Sequence, residues 1–227
     1  MKTFKLKAAT FSIALAMTGV LATSCNSFTK TQKGAAIGVA GGGALGALVG
    51  KAAGNTALGA IIGGAVGGTA GALIGHKMDK QAAEIKQTVP GATVTRAGEG
   101  IIVNFSSGIL FDTDKADVKA AAKDNLAKFA QSLQNNPETN ILIVGHTDNT
   151  GSDAHNMDLS IRRAEAVKSI IVGDNIAASR MTVQGKGETE PIGDNNTVDG
   201  RAQNRRVEIV IVANDKMKTE AKSTAGN

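Results

Sequence analysis

The sequence predicts an α+β fold, with helices on one face of a mixed sheet, preceded by a glycine-rich helical hairpin. Three observations predict it. Short apolar runs rich in β-branched residues, at 101–105, 141–144 and 207–212, read as buried strands. Between them lie amphipathic stretches at 115–133 and 158–172, whose apolar residues recur at spacings of three and four. Ahead of both, glycine falls at every fourth residue from 34 to 54, and the series resumes at 59, 63, 67, 71 and 75.

At the start, Lys2, Lys5 and Lys7 precede a short apolar stretch, the pattern of a secretory signal over residues 1–24. The signal ends in Leu21, Ala22, Thr23, Ser24 and Cys25. This resembles a lipobox, which implies lipidation of Cys25; an ordinary signal with an incidental cysteine is the plainer alternative. Cys25 is the one cysteine among 227 residues, so an internal disulfide is impossible and lipidation gives the thiol a role. Asn26 is not Asp, which by resemblance to lipoprotein sorting rules is compatible with the outer membrane.

Residues 25–33 read as a lipidated linker and 34–76 as the glycine hairpin, with helices near 34–53 and 57–76 turned back at Asn55 and Thr56. Glycine costs a helix about 1 kcal/mol each relative to alanine, so a glycine face makes sense only where another helix approaches closely. The pattern resembles glycine-zipper segments of small envelope proteins. Each run is close to the ~20 residues a bilayer span requires, so membrane insertion and a soluble, self-packed hairpin both stay open.

Residues 77–91 read as a polar helical connector closed by Pro90 and Gly91. The domain proper then spans 92–213, beginning with a hairpin of 92–96 and 100–105. A strand at 181–183, a long polar loop over 185–204 and the last strand complete it. Residues 214–227 are polar and read as a disordered tail.

Charge narrows the function class. The chain carries +5 overall, but the signal holds three of those lysines, and residues 92–213 contain 13 Lys and Arg against 16 Asp and Glu. No basic stripe with stacking aromatics is present, since the chain has no Trp and no Tyr, so nucleic acid is not an expected partner.

The chemistry concentrates at 141–163. Asp148 sits at a strand exit and Arg163 inside the following helix, a fixed anion and a fixed cation that suit a ligand carrying both charges. A structural salt bridge between them is the plain alternative. GHTDNTG at 145–151, Asn156, Leu159-Ser160, Arg163-Ala164 and GRAQNRRVEI at 200–209 together resemble the OmpA-like C-terminal domain, a non-catalytic peptidoglycan-binding module of bacterial envelopes. With the lipobox and the glycine hairpin, the layout is similar to OmpA-family outer-membrane lipoproteins.

The resemblance implies a βαβαββ sandwich and a ligand with the zwitterionic end of diaminopimelate. It implies that Asp148 takes the ammonium and that the fork of Arg163 takes the carboxylate. It also points to Asp112, Thr113 and Asp114 in the first loop, Thr147 and Asn149 after the central strand, Asn156, and Arg205 at the rim. For Asp112 and Asn156, capping or loop-bracing is an equal alternative. His155 stands where the family commonly has an aromatic ring.

His146, His155, Asp148, Asp153 and Asp158 match no standard metal-ligand spacing, and Gly185-Lys186-Gly187 is too short for a phosphate loop. No metal, cofactor or enzyme activity is expected. The expectation is a protein that tethers the outer membrane to the wall, lipid-anchored with its C-terminal domain in the periplasm. The alternative is an assembly protein that forms homo-oligomers through its glycine helices, with wall binding secondary.

Overall fold

The computed structural model describes residues 66–226. The signal, Cys25, the 25–33 linker and the glycine hairpin up to residue 65 lie outside the described residues. The elements are α1 (Gly68–Thr88), β1 (Ala92–Ala97), β2 (Gly100–Ser106), the short α2 (Ser107–Leu110), α3 (Ala120–Asn135), β3 (Thr139–Gly145), α4 (Asp153–Gly173), β4 (Met181–Gly185), α5 (Val198–Asn204), β5 (Arg206–Ala213) and α6 (Asp215–Ala225).

The five strands form one sheet in the order β1-β2-β5-β3-β4. All pairs are antiparallel except β3 with β4, which is parallel and joined by α4. This is the mixed sheet expected from the sequence. On one face, Ile101, Val103, Phe105, Ile141, Ile143, Val207, Ile209 and Ile211 pack under helices that contribute Leu126, Phe129, Val167 and Ile171. Alternation along β2, β3 and β5 sends every second side chain to that core. On the opposite face Leu142, Val144 and Val210 form a separate small apolar group.

Four expectations differ from the structure. The helix expected over 115–133 begins at Ala120, because residues 115–119 are drawn into backbone pairing: Phe111 bridges Val118, and the Lys119 N–H donates to the Leu110 carbonyl at 2.8 Å. The polar loop over 185–204 contains α5, whose N-cap Thr197 accepts from the Gly200 N–H.

The tail is not disordered. Asn214 caps α6, accepting from the Met217 N–H at 3.0 Å, and Met217 and Ala221, one turn apart, are buried. Finally, the second glycine helix and the polar connector are not separate pieces. Residues from Gly68 onward form one helix, α1, whose Ile74, Met78, Ala82 and Ile85 enter the main core at helical spacing. It packs on α6, β1 and α3.

Candidate functional site

Strand β3 delivers the site. After Gly145 the chain stays tied to both neighbouring segments: the His146 N–H donates to the Arg206 carbonyl at 2.9 Å, and the Thr147 N–H to the Gly187 carbonyl at 2.8 Å. Two glycines let α4 approach these strand ends. A Cβ on Gly145 would lie 2.0 Å from the Ser160 carbonyl oxygen, and one on Gly187, itself left-handed at φ 52°, would lie 3.1 Å from the Met157 N. Helix α4 is capped by Ser152, whose hydroxyl accepts from the His155 N–H. Packed this closely, its third turn brings Arg163 beside the β3 exit.

Asp148 is 6% exposed. Its Oδ1 accepts from the Thr150 N–H at 2.9 Å and its Oδ2 from Arg205 Nη1 at 2.5 Å. Burial alone would raise its pKa, but the Arg205 and Thr150 hydrogen bonds outweigh that and hold the carboxyl below its ordinary value. A carboxylate offers about four acceptor positions, and Arg205 with the Thr150 N–H and side chain leave room for a further donor.

Arg163 is 3% exposed and braced on two sides. Its Nε donates to the Lys115 carbonyl at 3.0 Å, and its guanidinium carbon lies 5.2 Å from the centroid of the Phe111 ring. Among the described residues neither Nη group makes a hydrogen bond. Burial lowers its pKa, as do the Arg205 and Arg162 cations, while Asp114 and Asp148 pull the other way. Those electrostatic partners locate Arg163, Asp148, Arg205 and Asp114 in one neighbourhood. The ion pair of Asp148 is with Arg205, 57 residues on, and not with Arg163.

The other expected residues divide. Asp114, left-handed at φ 56°, pairs with His155 Nε2 at 2.8 Å and so ties the first loop to the start of α4. Asn156 is buried and donates from Nδ2 to Glu188 at 2.6 Å, a bracing contact. Asn149 and Thr113 are exposed. Asp112 faces solvent, paired with Lys115 at 3.5 Å and Lys119 at 3.4 Å. Thr147 is buried, and its hydroxyl finds no hydrogen-bond partner.

Four contributors were not singled out from the sequence: Phe111, the Lys115 carbonyl, Glu188 and the buried layer beneath. That layer holds Arg206, which pairs with Glu208 at 2.8 Å and donates to the Asn204 and Glu190 carbonyls. Lys186 pairs with Glu190 at 3.1 Å. Asn204, fully buried, accepts from the Ile192 and Gly193 N–H groups, so the loop that presents Arg205 is held from both ends. Among the described residues no cluster of three or more His, Cys, Asp or Glu is placed to hold a metal ion.

Comparison with known proteins agrees with this architecture. Residues 110–205 match the OmpA family, and residues 1–79 match the YMGG-like Gly-zipper family. The chain is 39% identical over 143 residues to the probable lipoprotein YiaD of Escherichia coli, covering 62% of this chain and 65% of that one. It is 40% identical over 103 residues to the peptidoglycan-binding protein ArfA of Mycobacterium bovis, covering 45% of this chain and 32% of that one. The cell wall anchor of the T6SS from Pseudomonas aeruginosa superposes with a TM-score of 0.53 at 28% identity, covering 60% of this chain and 96% of that one. Less than two thirds of either curated relative is therefore spanned. The strand–loop–helix that carries Asp148 and Arg163 thus lies within the 110–205 segment that matches the OmpA family.

Proposed function

We propose that this domain binds peptidoglycan without cutting it, taking the zwitterionic end of a diaminopimelate side chain between Asp148 and Arg163. The observation that carries the reading is the state of Arg163. It is a nearly buried guanidinium, fixed by Phe111 and the Lys115 carbonyl, with both Nη groups free of hydrogen bonds among the described residues. Burying a cation is costly, and the cost is offset when a carboxylate docks on the two free Nη groups in the bidentate geometry that Arg favours. Asp148, held ionised by its own donors, keeps acceptor capacity for the ammonium. Arg205, with a side chain 40% exposed, borders the same carboxylate and can swing outward.

In this reading Cys25 is lipidated and holds the outer membrane, while the C-terminal domain holds the wall from the periplasm. Two such attachments act through effective concentration, so a weak contact at each sugar–peptide unit is sufficient. Support comes from the relatives: one is a probable lipoprotein, one is named for binding peptidoglycan, and one is a cell wall anchor. The test is co-sedimentation with purified diaminopimelate-containing peptidoglycan. Asp148→Ala and Arg163→Ala are each expected to remove the protein from the pellet while its circular dichroism spectrum is unchanged. Sedimentation of both variants at wild-type levels would refute the site.

A further inference from the structure

We infer that the glycine-rich segment does not cross the bilayer as a two-helix hairpin, because its last four glycines, Gly67, Gly68, Gly71 and Gly75, lie where it is fastened to the C-terminal domain. The break is at Gly67 and Gly68, two consecutive glycines with φ of 68° and 61°. A right-handed helix cannot run through left-handed residues, so a helix over 57–76 is cut at this point. The break is locked from the domain side. Glu99, in the turn between β1 and β2, accepts the Val66 N–H on both oxygens, at 3.1 and 2.9 Å, and the Gly67 N–H at 2.9 Å. Its carboxylate thereby sits at the positive end of α1.

The next glycines of the series serve the same docking. A Cβ on Gly71 would lie 2.5 Å from Glu99 Oε1, and the Gly75 carbonyl accepts from Arg96 Nη2 at 3.4 Å. Arg96, on β1, also pairs with Asp79 one turn further along α1 at 2.7 Å and donates to the Gly100 carbonyl. Glycine is thus accounted for at 67 and 68 by positive φ and at 71 by contact with Glu99, whereas a Cβ at 75 would meet nothing nearer than Arg96 Nη2 at 3.9 Å. The periodicity matches a zipper, but the partner of Gly71 is the β1–β2 turn.

Two consequences follow for the tether. Residues 66–76 of the 57–76 run are held on the domain, which leaves fewer than the ~20 residues that a span requires. No helix among the described residues is long and apolar enough to cross a membrane. On the proposed reading, in which Cys25 is lipidated, the bilayer attachment lies ahead of residue 66. The second consequence is directional. Val66 is held at the β1–β2 turn, where Gly100 pairs with Val212, whereas Asp148 leaves from the other end, where Gly145 pairs with Val207. The chain enters at one end of the sheet and the Asp148–Arg163 site faces out from the other, separated by the five residue steps of β5 from Val207 to Val212, roughly 17 Å. The domain is itself a rigid spacer in the tether.

The experiment uses the full-length lipoprotein in vesicles of phosphatidylethanolamine and phosphatidylglycerol. Cysteines are introduced singly at Leu73, exposed on α1, and at Lys80 about two turns beyond, and both are reacted with a charged, membrane-impermeant maleimide. Equal labelling rates at the two positions are expected, because both lie on the water-exposed face of a docked helix. A Leu73→Cys rate tenfold or more below Lys80→Cys would place Leu73 in the bilayer and overturn the inference. In the same vesicles, Glu99→Ala is expected to speed proteolysis within residues 66–91 about tenfold while sedimentation with peptidoglycan persists. An unchanged cleavage rate would overturn the role of Glu99 as the lock. Loss of wall binding by the parent protein would count against the proposed function alone, since neither labelling nor cleavage depends on it.

Discussion

His146 gives the sharpest stability test. It follows β3 directly, is fully buried, and neither ring nitrogen has a hydrogen-bond partner. Burial, with the Arg206 and Lys186 cations, pushes its pKa down from 6.5 to about 2. Glu208 lies 3.8 Å from Nε2 and would favour protonation, but that carboxylate is already compensated by Arg206 at 2.8 Å. The folded protein therefore keeps His146 neutral where the unfolded chain takes up a proton. A depressed histidine contributes stability in full above the unfolded value of 6.5, and the contribution falls as the pH drops from there toward 2. Each unit is worth about 1.4 kcal/mol, so lowering the pH from 7.5 to 5 should cost about 2 kcal/mol through this one group. Urea unfolding across that range measures it, and His146→Leu should remove most of the slope. If the variant does not fold, the imidazole resonances of the wild type serve instead. An unchanged slope in the variant, or a folded-state His146 titrating near 6.5, would refute the reasoning.

Other perturbations test the packing around the site. Gly145→Ala puts a methyl 2.0 Å from the Ser160 carbonyl oxygen, backbone against backbone. It should cost about 3 kcal/mol and lower the melting temperature in calorimetry by roughly 6–12 °C. Phe111→Leu keeps apolar volume but removes the ring under Arg163; with a cation–π contact worth about 1 kcal/mol, retention by peptidoglycan should weaken roughly fivefold. Truncation after Ala213 exposes the groove that Met217 and Ala221 fill, and should cost about 2 kcal/mol in urea unfolding.

Much of the domain is legible in the sequence because it rests on local pattern. The runs at 141–144 and 207–212 are strands because they are β-branched and buried, and Asp148 and Arg163 emerge from the strand–loop–helix order around them. What escapes has two physical causes. One is stripe width: Met78, Ala82 and Ile85 in α1, and Met217 and Ala221 in α6, are narrow apolar seams in otherwise polar helices. Such seams bury well only because each helix finds the other. The glycine at 71 misleads for a related reason. Close approach to a β-turn and close approach to another helix demand the same small residue at the same spacing. The second cause is distance along the chain. Arg205 reaches Asp148 across 57 residues, and Arg163 reaches the Lys115 carbonyl across 48, so the bracing of the site exists only after folding.

The pairing of Arg163 with a ligand carboxylate is tested most directly by how the site distinguishes two stem peptides, measured by isothermal titration of the full chain. One peptide carries diaminopimelate at its third position and the other carries lysine, which keeps the ammonium and lacks the terminal carboxylate. Losing the charge-assisted bonds to Arg163 should weaken the lysine peptide at least tenfold, about 1.4 kcal/mol or more, with the gap narrowed in Arg163→Lys. Equal affinity for the two peptides would contradict the claim that Arg163 reads a carboxylate.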